Sequence, residues 1–196
     1  VRRLLPWTAP QAVAGRPSFG LGDRLGLATP GHVHAVRGTG YVPMLAQQSI
    51  REMTRTGRSP RDVMDDATWG VVQTGFRDGF GSDADHLKTT DAIDRCAEVG
   101  FTFYTVDPGD HVDNAADGMD GRALASAFEA LPWEALATSP SDARAAAGRT
   151  AVALPGGERL ALDEEALLRA AVKYGRAVAH TAAMYRHLVD RLGEGG

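Results

Sequence analysis

The densest group of chemically reactive side chains lies in the segment GSDADHLKT, residues 81–89. Asp83, Asp85, His86 and Lys88 fall within six positions of one another there. Carboxylates and imidazole exchange protons with substrates, and the same groups bind divalent metal ions. The alternative interpretation is a solvated turn, in which aspartate is also common. The segment therefore indicates a candidate site whose groups are carboxylate, imidazole and ammonium.

The spacing of Asp83 and Asp85 suggests that the two carboxylates have different roles. Asp83 and Asp85 are two residues apart, and side chains at this spacing share one face of a regular strand. One of them would act as a general base, and the other would orient it or bind a metal ion. His86 is either a ligand or an ordinary core or surface histidine. Lys88 either holds a substrate or is an exposed lysine at the start of a helix.

A second carboxylate and histidine group follows the segment FTFYTV, residues 101–106. It contains Asp107, Asp110 and His111. The residues 107–110, DPGD, are also an ordinary turn sequence. These side chains are candidates for the same site as the first group, because they too follow a predicted strand.

Two polar pairs precede these groups along the chain. Gln47 and Gln48 suit sugar hydroxyls, because an amide both donates and accepts hydrogen bonds. Adjacent residues of a strand face opposite ways, so one of the two must point away from the interior. Asp23 and Arg24 are either an active-site pair or a buried structural ion pair that closes the first strand.

The elements that must position these side chains alternate between strand and helix. Apolar and β-branched runs predict strands at 18–22, 41–46, 80–84 and 101–106. Caps and apolar spacing predict helices at 30–37, 60–74, 90–99, 121–131 and 164–192, with Thr29, Ser59, Thr90 and Asp163 as N-caps. A β-hairpin is predicted at 150–162, around Pro155-Gly156-Gly157. Alternation of this kind favours a parallel α/β fold, in which the chemistry lies at the carboxyl ends of the strands.

Composition narrows the class of protein. The chain has 196 residues, 43% of them hydrophobic and 23% charged, and a net charge of −4. This charge gives no electrostatic case for nucleic acid or an anionic membrane as partner. The single cysteine, Cys96, excludes an intramolecular disulfide and favours the cytoplasm. No run approaches the ~20 apolar residues of a membrane span. The start at Val1 and the end in GEGG indicate a fragment.

Several long strings resemble one enzyme family. They are FGLGDRLGLATPGH, AQQSIREMTRTGRSPRDVMDDATWGV, GSDADHLKT, GFTFYTVDPGDHVD and LLRAAVKYGRAVAHTAAMYRHL. Together they resemble the metal-dependent tagaturonate epimerases, which also act on related ketoses at C4. The resemblance spans most of residues 18–192.

The resemblance implies a fold and an activity. The fold would be a (β/α) barrel of the TIM type, of which this chain is the N-terminal half in one partial domain, 1–196. That domain would have an extended lead-in at 1–17, an insertion with a helix and a hairpin at 121–163, and the long helix 164–192. The activity would be that of an isomerase that interconverts D-tagaturonate and D-fructuronate by epimerisation at C4. The alternatives are a metal-dependent sugar isomerase or aldolase on the same barrel, or an inactive barrel fragment.

The resemblance also distributes roles among the candidate residues. Asp83 and Asp85 would be catalytic, and a divalent ion (Zn, Mn, Ni or Co) would be held by His86, Asp85 and His111. The substrate, a small keto-uronate or ketohexose, would contact the remaining candidates: Asp23, Arg24, Gln47, Gln48, Lys88, Asp107 and Asp110. The reaction would proceed by retro-aldol cleavage and re-addition, because the hydrogen on the inverted carbon is not acidified by the ketone.

Overall fold

A parallel sheet of four strands forms the centre of the first part of the chain. The computed structural model describes residues 1–147, 151–161 and 163–193. The strands of the sheet are β1 (Ser18–Gly22), β2 (Val42–Ser49), β3 (Gly81–Leu87) and β4 (Phe103–Val106). They lie in chain order, and each pair of neighbours is parallel. The predicted α/β fold class and the parallel set of strands are therefore confirmed.

Helices connect these strands and continue beyond them. The helices are α1 (Thr29–Val36), α2 (Ile50–Thr56), α3 (Pro60–Thr74), α4 (Thr90–Val99), α5 (Gly121–Glu129), α6 (Pro140–Ala147) and α7 (Glu164–Leu192). Short 3-10 helices occupy Pro6–Thr8, Gly109–His111 and Asn114–Gly118. The predicted bounds of α3, α4 and α7 are confirmed. Helix α5 ends two residues before the predicted end, and α6 was not predicted.

Two of the predicted helix caps are confirmed and two are wrong by one residue. The Ser59 hydroxyl accepts a hydrogen bond from the Asp62 amide, and Asp163 accepts one from Ala166. Helix α4 is capped by Thr89 rather than Thr90. Helix α1 begins at Thr29 itself, without a side-chain bond from its N-cap residue, Ala28.

Residues 1–107 and 187–193 form one compact unit. Helices α1 and α3 pack on β2 and on each other, and α4 packs on β3 and α3. The interior holds large apolar side chains that are almost inaccessible to solvent: Val33, Leu45, Met64, Val71, Phe80, Leu87 and Ile93. Cys96 is buried among them, and this burial raises the pKa of its thiol to about 11. The buried helix faces hold the carboxyl ends of the strands in fixed positions.

Residues 108–186 form a second compact unit with its own apolar core. The core cluster is Ala116, Leu124, Phe128, Leu131, Leu168 and Val172. Strands β5 (Ala151–Ala153) and β6 (Arg159–Ala161) pair antiparallel, which confirms the predicted hairpin; its outermost predicted residues, Thr150 and Leu162, lie outside the described residues. Over the part of the chain that the structure describes, no helix has the length and apolar character needed to cross a membrane.

Candidate active site

Two irregularities in the sheet determine which side chains reach its carboxyl edge. Between Leu45 and Gln48, β2 advances by one residue more than its neighbours, and Ala46 has a φ of 54°. Strand β3 does the same between Ala84 and Leu87, where His86 has a φ of 54°. An extra residue in one strand bends it and changes the direction of the side chains that follow. Positive φ at residues other than glycine is uncommon and often marks a functional site.

Asp83 is buried and both of its carboxylate oxygens are hydrogen-bonded. The amide of Gln47 donates to Oδ2 at 2.7 Å, and the hydroxyl of Thr105 donates to Oδ1 at 2.9 Å. Burial raises the pKa of Asp83 above its usual value, and these two hydrogen bonds oppose that effect. The network fixes the orientation of the carboxylate across three neighbouring strands.

Asp85 has a different environment from Asp83, although it lies on the same strand. Its side chain is 21% exposed, whereas Asp83 as a residue is 5% exposed. Burial is the main cause that raises the pKa of Asp85, and the charges of Glu52 and Asp107 act in the same direction, while His86 opposes them. Asp85 is therefore a carboxylate that solvent or a substrate can reach and that accepts a proton more readily than an ordinary aspartate.

His86 stands between two carboxylates at the end of β3. Its Nε2 is 3.7 Å from Oδ2 of Asp85, and its Nδ1 is 3.5 Å from Oδ2 of Asp107. The Nζ of Lys88 is 3.8 Å from the same oxygen of Asp107. The structure thus brings together four of the predicted site residues at adjoining strand ends, and Asp83 and Gln47 lie beside them.

An open cavity of about 340 Å³ adjoins this group. Its polar lining residues are Ser49, Arg51, His86, Lys88, Thr89 and Asp107. Asp83 and Asp85 are not among the residues that line it. His86 therefore connects the cavity to Asp85, because it lines the cavity and approaches that carboxylate.

Asp23 and Arg24, the first polar pair, contact different partners. The carboxylate of Asp23 accepts hydrogen bonds from the backbone amides of residues 25–28, at 2.7–3.2 Å. Burial would raise the pKa of Asp23, but these four donors outweigh it and hold the pKa below its usual value. Arg24 is exposed and pairs with Glu52 rather than with Asp23. The suggested Asp23–Arg24 ion pair is therefore wrong, and Asp23 organises the loop that leads into α1.

Gln47 and Gln48, the second polar pair, point in different directions, as expected for adjacent residues of a strand. Gln47 faces Asp83, as described above. Gln48 is buried on the other side, where its amide donates to Arg24 O and Thr56 Oγ1, and its carbonyl accepts from Arg58 at 2.8 Å. The prediction that one of the two points away from the site is confirmed, and the residue that does so is Gln48.

Asp110 and His111 lie in the second compact unit, in the 3-10 helix Gly109–His111. The ring of His111 stacks on that of His180, with centroids 3.9 Å apart. Their predicted roles, substrate contact for Asp110 and metal binding for His111, stay predictions.

The carboxylate and imidazole groups of this region are also potential ligands of a metal ion. Zinc in proteins usually takes three or four protein ligands. Asp85 and His86 would offer one oxygen and one nitrogen side by side. Within the described ranges of the chain, however, no three His, Cys, Asp or Glu side chains are grouped so as to hold a metal ion. The described residues do not by themselves complete such a site.

Several residues of this region, Thr105, Glu52 and Arg51 among them, were not predicted from the sequence. Thr105 holds Asp83, Glu52 raises the pKa of Asp85, and Arg51 lines the cavity. Thr105 falls within a strand of apolar and β-branched residues, where a threonine is ordinary. Glu52 forms the capping box of α2 with Ser49, and this local role gives no sign of its proximity to Asp85.

Comparison with known proteins places this geometry in a family. The family model UxaE, tagaturonate epimerase, matches residues 1–194. The tagaturonate/fructuronate epimerase of Thermotoga maritima is 44% identical over 190 residues, which are 97% of this chain and 38% of that protein. The chain thus spans less than two fifths of the length of this relative.

Solved structures give the same result. The glycerol-complexed fructuronate-tagaturonate epimerase UxaE of Cohnella laeviribosi matches with a TM-score of 0.83 and 36% identity, over 94% of this chain and 37% of that one. The native structure of the same enzyme matches with a TM-score of 0.79 and 37% identity, over 92% and 36% of the two chains. With a family match over nearly all of its length, the chain belongs to the tagaturonate epimerase family.

Proposed function

We propose that the protein interconverts D-tagaturonate and D-fructuronate by inverting C4. The observation that carries this proposal is the Asp85–His86–Asp107 group at the carboxyl ends of parallel strands, beside a cavity large enough for a small molecule. The names of the relatives supply the substrate pair. We further propose that the four strands are consecutive members of a (β/α) barrel, whose catalytic groups lie at this edge, and that the protein acts in the cytoplasm.

The chemistry of the substrate favours cleavage of a carbon–carbon bond. C4 is β to the ketone at C2, so its hydrogen is not acidified. The bond between C3 and C4 is activated instead. A base removes the proton of the C4 hydroxyl, C4 becomes an aldehyde carbon, and the electrons of the broken bond form an enediolate over C2 and C3. Rotation of the aldehyde and re-addition return the same atoms with the opposite configuration at C4.

Asp85 is the base in this proposal. Its raised pKa brings it nearer to the working pH, where a carboxylate both removes and returns a proton most effectively. Asp83 is less suited, because both of its oxygens already accept hydrogen bonds. We assign Asp83 to orient the site together with Gln47 and Thr105.

The remaining groups would bind the substrate. His86 lines the cavity and would donate a hydrogen bond to the oxygen at C2 as negative charge develops there. Lys88 and Asp107 line the same cavity and would contact substrate oxygens. A divalent ion stays part of the proposal, with Asp85 and His86 among its ligands. The described residues do not complete the site of this ion.

The proposal is tested by the fate of the hydrogen at C4. In heavy water, a protein that carries this sequence should convert D-tagaturonate to D-fructuronate with protium retained at C4, as read by NMR. Retention follows because the broken bond is carbon–carbon. Deuterium at C4 would instead show direct deprotonation, and absence of interconversion would refute the epimerase function.

A further inference from the structure

The cavity beside His86 is lined by a cationic side chain, Arg51, that has no role in the proposed reaction. Arg51 lies in the first turn of α2, is exposed, and lines the cavity. Among the described residues, the structure gives its guanidinium no hydrogen bond or ion pair. Arg24, Arg58 and Arg2 are by contrast each paired with a carboxylate.

The charge balance of the cavity favours an anion. Two cations, Arg51 and Lys88, face one carboxylate, Asp107, which Lys88 already approaches at 3.8 Å. The excess positive charge therefore lies at Arg51. Neither Asp83 nor Asp85 is among the residues that line the cavity.

A neutral donor adds to the lining. The hydroxyl oxygen of Thr89 accepts a hydrogen bond from the Ala92 amide at 3.2 Å. Because this hydroxyl uses only its acceptor function in that bond, its own proton can be donated to a ligand oxygen. The hydroxyl of Ser49 is directed instead to the Glu52 carboxylate. A guanidinium with a hydroxyl donor nearby suits a carboxylate, which arginine binds through two parallel hydrogen bonds.

We propose that Arg51 binds the carboxylate of the sugar acid and makes the protein select keto-uronates over neutral ketoses. This inference rests on the proposed function for the identity of its ligand. The carboxylate end of the substrate would lie in the cavity at Arg51, and the reacting carbon would lie toward His86 and Asp85. Arg51 is thus a specificity-determining residue that takes no part in proton transfer.

The test compares charged and neutral ligands in matched variants. Calorimetry should show that the 196-residue chain binds D-fructuronate more tightly than D-fructose. Arg51→Gln should weaken D-fructuronate binding by about tenfold or more, since it removes a charge-assisted bidentate contact. Its affinity for D-fructose should not change. Arg51→Lys, which keeps the charge and loses the planar pair of donors, should fall between the two.

Arg55→Gln is the matched control, because Arg55 is an exposed arginine one turn later in α2 and does not line the cavity. It should bind D-fructuronate as the unaltered chain does. The proposal is overturned if Arg51→Gln binds D-fructuronate as tightly as the unaltered chain and Arg55→Gln do. It is equally overturned if Arg51→Gln loses affinity for both sugars to the same extent. It is also overturned if the unaltered chain shows no preference for the charged sugar. Circular dichroism of each variant confirms folding.

Binding and turnover separate this inference from the proposed function. Binding of D-fructuronate that depends on Arg51, without interconversion of the two uronates, would refute the epimerase and leave the carboxylate site in place. If Arg51→Gln interconverts the two uronates as fast as the unaltered chain does, the carboxylate site at Arg51 would be refuted and the epimerase function would stand.

Discussion

Asp83 and Asp85 differ in how many of their carboxylate oxygens the protein itself occupies. Both lie on β3, and burial raises the pKa of each. Gln47 and Thr105 bind the two oxygens of Asp83, whereas Asp85 is partly exposed beside an exposed histidine. Environment alone thus separates a carboxylate that is held from one that can react.

Asp85→Asn tests this difference. The amide keeps the shape of the side chain and removes its basicity, so turnover of D-tagaturonate should fall by the ~10²–10⁴-fold typical of a lost general base. Asp91→Asn, at an exposed position in α4 where Asp91 pairs with Arg95, is the control and should leave turnover unchanged. NMR of uronate interconversion measures both. A variant with near-normal turnover would remove Asp85 from the role of base.

A second residue-scale prediction concerns Asp23 and the loop it organises. Asp23→Ala leaves four backbone amides without their acceptor and should lower the free energy of unfolding by about 2–3 kcal/mol. Asp78→Ala, at an exposed position, should change it by less than about 0.5 kcal/mol. Urea denaturation followed by circular dichroism measures both.

The same variant has a defined pH dependence. The pKa of Asp23 is lowered in the folded protein, so its stabilising effect is fully present above the ordinary value of 3.8. It is lost as the pH falls through the lower folded value. The difference in stability between the unaltered chain and Asp23→Ala should therefore shrink on acidification. A difference that stays constant below the ordinary pKa would contradict the role of the ionised carboxylate.

The sequence predicted the types of the site residues better than their directions. Asp83, Asp85, His86 and Asp107 were expected at strand ends. Asp85 and His86 lie in the last three residues of β3 and Asp107 follows β4, whereas Asp83 lies farther back, opposite the first residue of β4. That Gln47 faces Asp83 while Gln48 is buried elsewhere follows from the extra residue near Ala46 in β2. Positive φ at an alanine has no local sequence signal, because alanine is not a residue that favours it. The contact is set by the sheet.

At the scale of elements, proline, serine and glycine made the boundaries predictable. Helix α3 begins after Ser59 with Pro60 in its first turn and ends at Gly75, which is left-handed. Helix α6 has a similar start, with Ser139 accepting from the Asp142 amide, but apart from Pro140 its only apolar residues are alanines. Short helices of this kind are fixed by their surroundings more than by their own pattern.

The packing of α1 on α3 gives a prediction at this scale. A Cβ built on Gly70 would lie 2.5 Å from Cβ and Cγ2 of Thr29. Gly70→Ala should therefore destabilise the protein by roughly 1–3 kcal/mol, as overpacking does, although alanine favours helix. Gly31→Ala is the control: it is also helical, meets nothing within 4 Å, and should stabilise by about 0.5–1 kcal/mol.

Thermal unfolding of the two alanine variants measures the contrast. Opposite signs would confirm that the two helices approach closely at Gly70. A stabilised Gly70→Ala protein would show that α1 and α3 have room between them, and the close approach would be refuted.

At the scale of the whole molecule, the sequence predicted the parallel sheet but not the second compact unit. The parallel arrangement of the first four strands was predictable, because strands and helices alternate regularly along residues 18–107. The compact unit of residues 108–186 was not predicted as a separate unit, because the apolar spacing of α5 and α7 predicts helices but not which helices pack together. Its core becomes apparent only when Leu124, Phe128 and Val172 are seen packed together.

This second core can be tested through Phe128. The side chain is fully buried, its ring lies 4.7 Å from that of Trp133, and its carbonyl oxygen accepts from the Trp133 indole at 3.1 Å. Phe128→Ala should cost about 3–5 kcal/mol, because the cavity left behind cannot fully collapse. Hydrogen exchange should accelerate in α5 and in the first turns of α7, and the central strands β2 and β3 provide the internal reference. Unchanged protection in α5 would show that residues 108–186 do not depend on Phe128 for their core.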